Sequence, residues 1–492
     1  MPTPLEPKLG RILHIALPIV VSNASYTAML FIDRLFLSRV GKHELAAAMS
    51  GGLTAFVLFS FFIGLIGYAS ALVAQYYGAG RHEMCTRAGT QALYLALAGY
   101  PILLAFVPVI GHIFALTGQD PALRTPATVY AQTLLFGGIF TLIRTALSSF
   151  FVGIGRTRIT MVANIFGTLV TIPLNYVLIF GHFGLPALGI EGAALGTIGG
   201  GFSACALLLA YYLKEITRAP YEVERVMLLV PETMGRLLRF GTPAGVEPLL
   251  NWCAFNIFVQ VMYSYGAETA AASTIAFNFD IVAFVPMMGL SAAATTVVGQ
   301  HLGAKDLAGA ARSTTLMLRM GGAYALVMMV LFLIGADLLV RIFAAGFADP
   351  GDRIADMAAT MLRLLTLYTL ANALKLVLSG ALRAAGDTRW MMCVSVAIHW
   401  AMAVGVILLV HAAKVDPYAA WLTLVAMNIA HVFSVWYRYR TGQWKQIRYT
   451  LSMDAIASDC LNTPAVVQGL KRLADDSSSH DDQQLYAIVC TM

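Results

Sequence analysis

The segment GLIGYASALVAQYYGA at residues 64–79 returns in altered form as GLSAAATTVVGQHLGA at residues 289–304. The two segments lie 225 residues apart, and the match extends without a gap over residues 18–79 and 243–304, with fifteen identical positions. An apolar composition alone would not align these prolines, glycines and glutamines: Pro18 with Pro243, Gly41 with Gly266, Gly64 with Gly289, Gln75 with Gln300, and Gly78 with Gly303. The chain therefore contains an internal duplication.

A second pair of segments extends the duplication over most of the chain. GIGRTR at 153–158 aligns with AAGDTR at 384–389, now 231 residues apart, and the six extra residues fit a longer loop. Each half then holds six spans, and an even number gives both halves the same orientation in a membrane. This predicts a parallel repeat about an axis along the membrane normal, with two lobes that enclose a central cleft and rock to expose it to alternate sides.

The composition places this repeat in a lipid bilayer. Of the 492 residues, 59% are hydrophobic and 12% are charged, whereas soluble domains carry about 25% charged residues. Such a chain cannot cover a water-facing surface with polar groups, so the bilayer is the solvent that fits it. The net charge of +6 is spread between the apolar runs, and it forms no concentrated basic face of the kind that nucleic-acid binding needs.

Apolar runs of about 20 residues, the length that crosses a bilayer, occur twelve times. The twelve candidate spans are residues 12–38, 48–77, 89–115, 126–152, 159–180, 190–213, 240–264, 273–302, 316–343, 356–382, 390–413 and 417–437. Their alternate ends carry nineteen and six Lys or Arg residues, and the more basic loops of a membrane protein face the cytoplasm. We therefore predict an all-α polytopic membrane protein with twelve transmembrane helices and both termini in the cytoplasm.

The spans group into an N-terminal six-helix lobe at 1–213 and a C-terminal six-helix lobe at 240–440. Residues 214–239 mix Glu and Arg with apolar residues, which predicts a cytoplasmic linker that is partly an interfacial amphipathic helix. Residues 441–492 include the polar run DDSSSHDDQQ and are predicted to form a disordered cytoplasmic tail.

Several long motifs resemble one transporter family in the right order and spacing. ALPIVVSNASYTAMLFIDRLFLSRVG at 16–41 is similar to the first helix of the multidrug and toxic compound extrusion (MATE) family. The stretches at 171–197 and 275–304 resemble its fifth to sixth and its eighth helices, and ALRAAGDTR at 381–389 resembles the end of its tenth. The resemblance covers about residues 10–440 and is greatest to the NorM-like bacterial branch.

The resemblance implies a secondary active antiporter that exports organic, often cationic, compounds in exchange for Na⁺ or H⁺ by alternating access. The alternative is a lipid-linked precursor flippase of the same superfamily, which would have more helices or a strongly charged central cavity. An enzyme is not expected, because no HExxH, GxSxG or P-loop motif stands in a suitable context. The missing P-loop also argues against ATP as the energy source.

The remaining expectations concern location and partners. We expect a monomer in the plasma membrane, by resemblance a bacterial inner membrane, with a small-molecule substrate and the lipid bilayer as its surroundings. No cofactor is expected beyond the coupling ion. The six cysteines form no CxxC pair and no metal-ligand spacing, so neither a disulfide framework nor a zinc site is predicted.

Asp33 is the first candidate for a cation site. It lies well inside the first span, where a carboxylate costs roughly 3 kcal/mol or more unless it is paired or protonated. The family carries an essential Asp here, and the resemblance adds Thr171, Asn175 and Thr197 to complete an oxygen-rich site in the first lobe. Such oxygens suit a hard cation such as Na⁺, whereas a protonatable Asp alone suits H⁺. The alternative for Asp33 is a local salt bridge to Arg34 or a snorkelling contact near the outer interface.

The second lobe departs from the family pattern. The family's acid in the seventh helix corresponds to Asn251, and its acid in the tenth corresponds to Asn372. Glu247 precedes Asn251 by one helical turn on the same face and is a candidate replacement. Asp280 is an additional acid two residues after the matching Asn278. Glu247 and Asp280 are also candidate counter-charges for a cationic substrate.

Two basic residues lie inside spans at equivalent repeat positions, Arg144 and Lys375. Each is about two turns from the cytoplasmic end of its helix. Long apolar stems would let both side chains snorkel to the interface, and this is the preferred interpretation. The alternative is a gate between the lobes.

Overall fold

The computed structural model describes residues 9–116, 121–217, 228–344 and 353–445, and within these ranges the regular structure is helical. The chain divides into two compact units, Met1–Thr441 and Gly442–Met492. The long helices that the structure describes lie in the first unit. Of the second, only residues 442–445 are described, so the predicted tail otherwise lies outside the described residues.

In the described part of the N-terminal half, nine α-helices supply six spans. They are α1 (Leu9–Val40), α2 (Lys42–Gly67), α3 (Ala69–Gly78), α4 (His82–Leu104), α5 (Ile110–Leu116), α6 (Pro121–Phe136), α7 (Gly138–Gly153), α8 (Thr157–Phe180) and α9 (Ile190–Ile216). A short 3₁₀ turn at Val107–Val109 joins α4 to α5. The second, third and fourth spans are thus each built from two helices.

Six long helices form the C-terminal half, one for each span. They are α10 (Pro231–Tyr263), α11 (Ala267–Gly303), α12 (Leu307–Ala344), α13 (Arg353–Ala385), α14 (Thr388–His411) and α15 (Pro417–Arg440). Helix α10 begins inside the range that the sequence assigns to a linker. Residues 218–227, the middle of that range, lie outside the described part of the chain.

Ten helical segments of the described chain are long and apolar enough to cross a membrane, and the bent pair α6–α7 makes an eleventh span. The remaining element is α10, whose 33 residues are long enough to cross. It carries Glu247, Asn251 and two internal prolines, and it is not among the ten apolar segments. A polar spanning helix avoids lipid only by turning its polar residues toward protein or a water-filled cavity.

The fourth span bends by 47° between α6 and α7. Gly137 lies at the break, and a Cβ atom there would collide with the side chain of Ile198 in α9. The adjacent Gly138 makes similarly close contact with Phe59 and Leu103. Paired glycines are a frequent cause of sharp bends, and here they also let neighbouring helices approach closely.

The two lobes repeat the same helix contacts. In the first lobe α1 packs on α8 and α3 packs on α7; in the second, α10 packs on α14 and α11 packs on α13. Between the lobes, α2 contacts α10 and α1 contacts α11. The inter-lobe contacts therefore also occur as an equivalent pair, as a two-fold relation between the halves requires.

Glycines shared by the two repeats lie where the lobes meet. A Cβ atom on Gly64 would overlap the backbone of α10 at Ala244, and one on Gly289 would overlap Val20 of α1. Membrane helices approach closely where small residues leave the backbone uncovered. The sequence identity between the repeats is thus concentrated at the inter-lobe contact.

Each lobe ties the start of its fifth span to the end of its sixth with an ion pair, and the signs are reversed. Arg156 Nη1 lies 2.5 Å from Glu215 Oε2 in the first lobe. At the equivalent position of the second lobe, Asp387 accepts from Arg438 Nε at 2.6 Å and Nη2 at 3.0 Å. Asp387 is only 4% exposed, so its charge depends on this bidentate partner.

We expect Asp387→Arg to lower the free energy of unfolding by roughly 3 kcal/mol, because it places two cations together at a mostly buried site. Adding Arg438→Glu restores the pair in the orientation of the first lobe and recovers most of the loss. Thermal unfolding of the purified protein measures both effects. The control is Asp337→Arg, which breaks the exposed pair with Arg363 and costs at most about 1 kcal/mol. Equal losses at the two sites would contradict the prediction.

Candidate functional site

Asp33 and Asn175 form a buried polar pair between the first and fifth spans. Asn175 Nδ2 donates a hydrogen bond to Asp33 Oδ1, and the two residues are 4% and 0% exposed. The pair lies near the C-terminal ends of α1 and α8, which run in the same direction. Thr197 of α9 lies beside the carboxylate, while its hydroxyl donates to Ala193 O at 3.0 Å.

Two glycines of α9 allow this arrangement. Asn175 Oδ1 packs directly against the backbone of Gly196, where a Cβ atom would overlap it. One turn along, the Thr171 hydroxyl packs in the same way against Gly200 and donates to Gly167 O at 2.9 Å. The sixth span therefore leaves room for Asn175 and Thr171 of the fifth span, because it has glycines at the two facing positions.

The pair leaves oxygen atoms without partners. Asp33 Oδ2 and Asn175 Oδ1 are buried and accept no hydrogen bond from the described residues. A buried carboxylate that lacks partners is costly, and it is stabilised by a proton or a bound cation. Among the described residues, no group of three or more His, Cys, Asp or Glu side chains is placed to hold a metal ion. The Asp33 site itself combines one carboxylate with the neutral side-chain oxygens of Asn175 and Thr197.

The salt bridge that was the alternative for Asp33 is not formed. Arg34 is exposed, and the described ion pairs do not include it with Asp33. A polar ladder instead continues between α1 and α8, with Ser25 Oγ donating to Thr168 Oγ1 at 3.1 Å and Asn164 Nδ2 donating to Ser22 Oγ at 2.6 Å. The α1–α8 contact of the first lobe therefore carries further polar pairs besides Asp33 and Asn175.

The second lobe has no counterpart of this pair. The repeat places Phe258 at the position of Asp33 and Val406 at that of Asn175. Both are fully buried in the apolar core of the second lobe, where the Phe258 ring lies 5.9 Å from that of Trp421. The two lobes share a fold but differ in chemistry at this depth.

The polar groups of the second lobe lie at a different depth from the Asp33–Asn175 pair. They are nearer the side of the bundle on which α1 begins and α15 ends. Glu247 and Asn251, one turn apart on α10, both approach Ser395 of α14: Asn251 Nδ2 donates to Ser395 Oγ at 2.8 Å, and Ser395 lies within hydrogen-bonding reach of the Glu247 carboxylate. Asp280 of α11 lies within the same reach of the Tyr368 hydroxyl. These side chains come from four helices, α10, α11, α13 and α14, and meet within the second lobe.

Lys375 lies among these acids, and the other candidate amides differ in their surroundings. Its ammonium donates to Asn428 Oδ1 at 2.8 Å, and its charge interacts with both Asp280 and Glu247. Asn372, one turn away, is buried with its Oδ1 unpaired in the described structure. Asn278 takes no part, because its Nδ2 donates to Thr274 O in its own helix.

The snorkelling interpretation of the two intramembrane cations does not match their contacts. Arg144 Nη1 donates to Asn164 Oδ1 at 3.1 Å, and Lys375 binds Asn428, so both head groups lie inside their lobes. The amide partners satisfy them where water is scarce. Each of these contacts lies within one lobe and none joins the two lobes. A gate formed by these residues between the lobes therefore stays a prediction.

Sequence reasoning missed Ser395, Asn428 and Gly196. The repeat could have indicated Ser395, because it occupies the position of Asn164 and each of them binds a residue of the first helix of its lobe. Gly196 lies within the 171–197 motif, but a glycine has no chemistry of its own that would single it out. Asn428 has no such signal, since it becomes relevant only through the buried ammonium that it binds.

Comparison with known proteins decides the family. The MatE family model matches residues 18–177 and 243–407, one match for each lobe. The chain belongs to the MatE family. Its members are transporters, so the expectation of a transporter rather than an enzyme is confirmed, as is the resemblance to the MATE family.

Individual relatives agree with this assignment. The MatE chain is 30% identical over 403 residues to multidrug resistance protein PmpM of Pseudomonas aeruginosa, covering 80% of this chain and 82% of that one. It is 29% identical over 396 residues to probable multidrug resistance protein NorM of Bradyrhizobium diazoefficiens, covering 80% and 84%.

A solved structure confirms the fold. A transporter of the MOP superfamily from Pyrococcus furiosus superposes with a TM-score of 0.80 at 19% identity, over 89% of this chain and 97% of that one. Together with the ten to eleven apolar spans and the helical repeat, this confirms the predicted polytopic two-lobe fold of the MatE chain.

Proposed function

We propose that this MatE chain is a secondary antiporter that exports organic, often cationic, compounds by alternating access, in exchange for H⁺ or Na⁺. The observation that carries the proposal is the Asp33–Asn175 pair, a buried carboxylate with one oxygen unpaired in the described structure. An ion bound there removes the cost of the buried charge and so favours one conformation of the lobe. Such differential affinity is what couples an ion gradient to a conformational change.

The orientation of Asn175 favours a proton. Its N–H group faces Asp33 and its carbonyl oxygen faces Gly196, so of the two side chains only the carboxylate presents oxygen atoms to the ion. Na⁺ would need the carboxamide turned over, with Asn175 Oδ1, Asp33 and Thr197 as oxygen ligands. We therefore propose H⁺ as the first candidate and Na⁺ as the second.

The second lobe is the proposed contact for the substrate. Glu247 and Asp280 supply negative charge in its interior, and Lys375 neutralises one of the two. The remaining charge attracts an organic cation, and the Tyr368 ring beside Asp280 adds an aromatic contact for it. The named relatives are multidrug resistance proteins, which supports this proposal over the flippase alternative.

The arrangement in the cell follows from the charge of the loops. We propose a bacterial inner membrane with both termini in the cytoplasm, since nineteen of twenty-five loop-facing Lys and Arg residues (19 + 6) lie on that side. The inward gradient of the coupling ion would then drive the substrate out of the cell.

The proposed function is tested with ethidium-loaded proteoliposomes under an inward pH gradient or an inward Na⁺ gradient, imposed separately. We expect efflux under the pH gradient that collapses when a protonophore dissipates it. Efflux under the Na⁺ gradient alone would assign Na⁺ as the coupling ion. No efflux of ethidium or of other organic cations under either gradient would contradict antiport and favour a flippase.

A further inference from the structure

The glutamines shared by the repeats make reciprocal contacts between the lobes. Gln75, near the C-terminal end of α3, donates through Nε2 to Ala384 O in the last turn of α13 at 2.5 Å. Gln300, its equivalent in α11, donates through Nε2 to Gly153 O at the end of α7 at 2.9 Å. The two acceptors, Gly153 and Ala384, are themselves equivalent in the repeat.

These acceptors are helix-end carbonyls. The last four carbonyls of a helix have no partner within it, so each glutamine completes the end of the fourth span of the opposite lobe. Gln300 is 1% exposed, and its other polar atom, Oε1, accepts from Arg11 Nη2 of the first lobe at 2.7 Å. Both ends of this buried amide are thus satisfied by the opposite lobe.

The backbone at this point leaves no space between the lobes. A Cβ atom on Gly78 would overlap the backbone of Gln300, and one on Gly303 would overlap that of Gln75. Thr296 adds a hydrogen bond across the same contact, to Val152 O at 3.1 Å. We name this face of the bundle, which carries Gly78, Gly153 and Gly303, the basic face, because the sequence assigns most loop Lys and Arg residues to it.

We propose that Gln75 and Gln300 form a two-part lock that holds the lobes together at the basic face and opens whenever the cleft is exposed on that side. The lock is symmetric because residues beside a two-fold axis meet their own equivalents. Opening it leaves two helix-end carbonyls and a buried amide to be satisfied by water. The proposal rests on the alternating access of the proposed function, but its test measures distance and not transport.

The test uses spin labels at Ala79→Cys and Ala304→Cys, two exposed positions that are equivalent in the repeat and flank the lock. The background has its native cysteines replaced and remains monodisperse in lipid nanodiscs. Pulsed electron paramagnetic resonance then gives the distance distribution between the lobes. We compare the parent with Gln75→Met, Gln300→Met and the double variant, because Met keeps the length of the side chain and removes the amide.

We expect the double variant to raise the ratio of separated to joined lobes about tenfold or more, since each hydrogen bond contributes a factor of about 2 to 10. Each single variant should give part of this shift. The matched control is Gln132→Met, whose Nε2 donates to Val107 O at 2.9 Å within the first lobe; it should leave the distribution unchanged.

An unchanged distribution in a folded double variant would overturn the lock. A shift equal to that of Gln132→Met would overturn it as well, because it would show that loss of any buried amide loosens the bundle. Should the double variant aggregate, the single variants decide by the same criteria. Failure of ethidium efflux in the parent would contradict antiport but leave the distance result intact.

Discussion

We expect Asp33→Asn to abolish gradient-driven efflux while the protein stays folded. Asn has the shape of Asp and can still bond to Asn175, but it cannot take up a proton and attracts a cation only weakly. Without ion binding at this site the gradient has no differential affinity on which to act. Efflux should fall at least about 100-fold, which is the coupling that roughly 3 kcal/mol provides.

The measurement is the initial rate of ethidium efflux under the driving gradient, with thermal unfolding as the check on folding. Asp337→Asn is the matched control, because Asp337 belongs to an exposed pair with Arg363 at 2.6 Å and lies far from the Asp33–Asn175 pair in the sequence. It should transport like the parent. Coupled efflux that persists in Asp33→Asn would retain the transporter and remove Asp33 from its mechanism.

Gly196→Ala should lower coupled efflux about tenfold or more, although it adds only a methyl group. The new Cβ atom would occupy the position of Asn175 Oδ1 and push the carboxamide away from Asp33. A hydrogen bond to a charged group contributes about 1.5–3 kcal/mol, which corresponds to tenfold or more in ion affinity. Ala favours a helix over Gly by about 1 kcal/mol, so lower helix propensity cannot explain the loss.

Gly201→Ala gives the matched control on the same helix, because a Cβ atom there meets nothing within 4 Å. We expect it to transport normally and to unfold at the same temperature or slightly higher. The proton dependence of the rate separates a positioning effect from simple damage. Without the Asn175 N–H donor, Asp33 holds its proton more tightly, so Gly196→Ala should recover part of its rate at a lower proton concentration. A rate that is equally low at all proton concentrations would show that Gly196 serves packing alone.

Both predictions depend on the fact that the two lobes differ at the position of the Asp33–Asn175 pair. Asp33 and Asn175 have Phe258 and Val406 as their repeat equivalents, which lie in an apolar core. No second pair of this kind can compensate for damage in the first lobe. The acids of the second lobe lie beside Lys375 instead, an environment suited to charge balance with a substrate.

Much of this protein was determined by its sequence. The apolar composition and the twelve runs indicate a polytopic membrane protein, because only helices that satisfy their own backbone can cross lipid. The 225-residue repeat indicates two lobes with a common orientation. Resemblance to the family groups Asn175 with Asp33, and the structure brings the two into contact, since a lone carboxylate inside a membrane must find a polar neighbour.

Tertiary structure alone decided which repeated residues are structural and which are chemical. Gln75 and Gln300 are identical in the repeats because each donates to a helix-end carbonyl of the opposite lobe. Asp33 and Phe258 differ because a site within one lobe is not constrained by the symmetry between the lobes. The inward turn of Arg144 and Lys375 was also invisible to sequence, as a long side chain reaches the interface or the interior with equal ease. Hydrogen-bond partners from other helices, Asn164 and Asn428, decide that direction, and only folding brings them within reach.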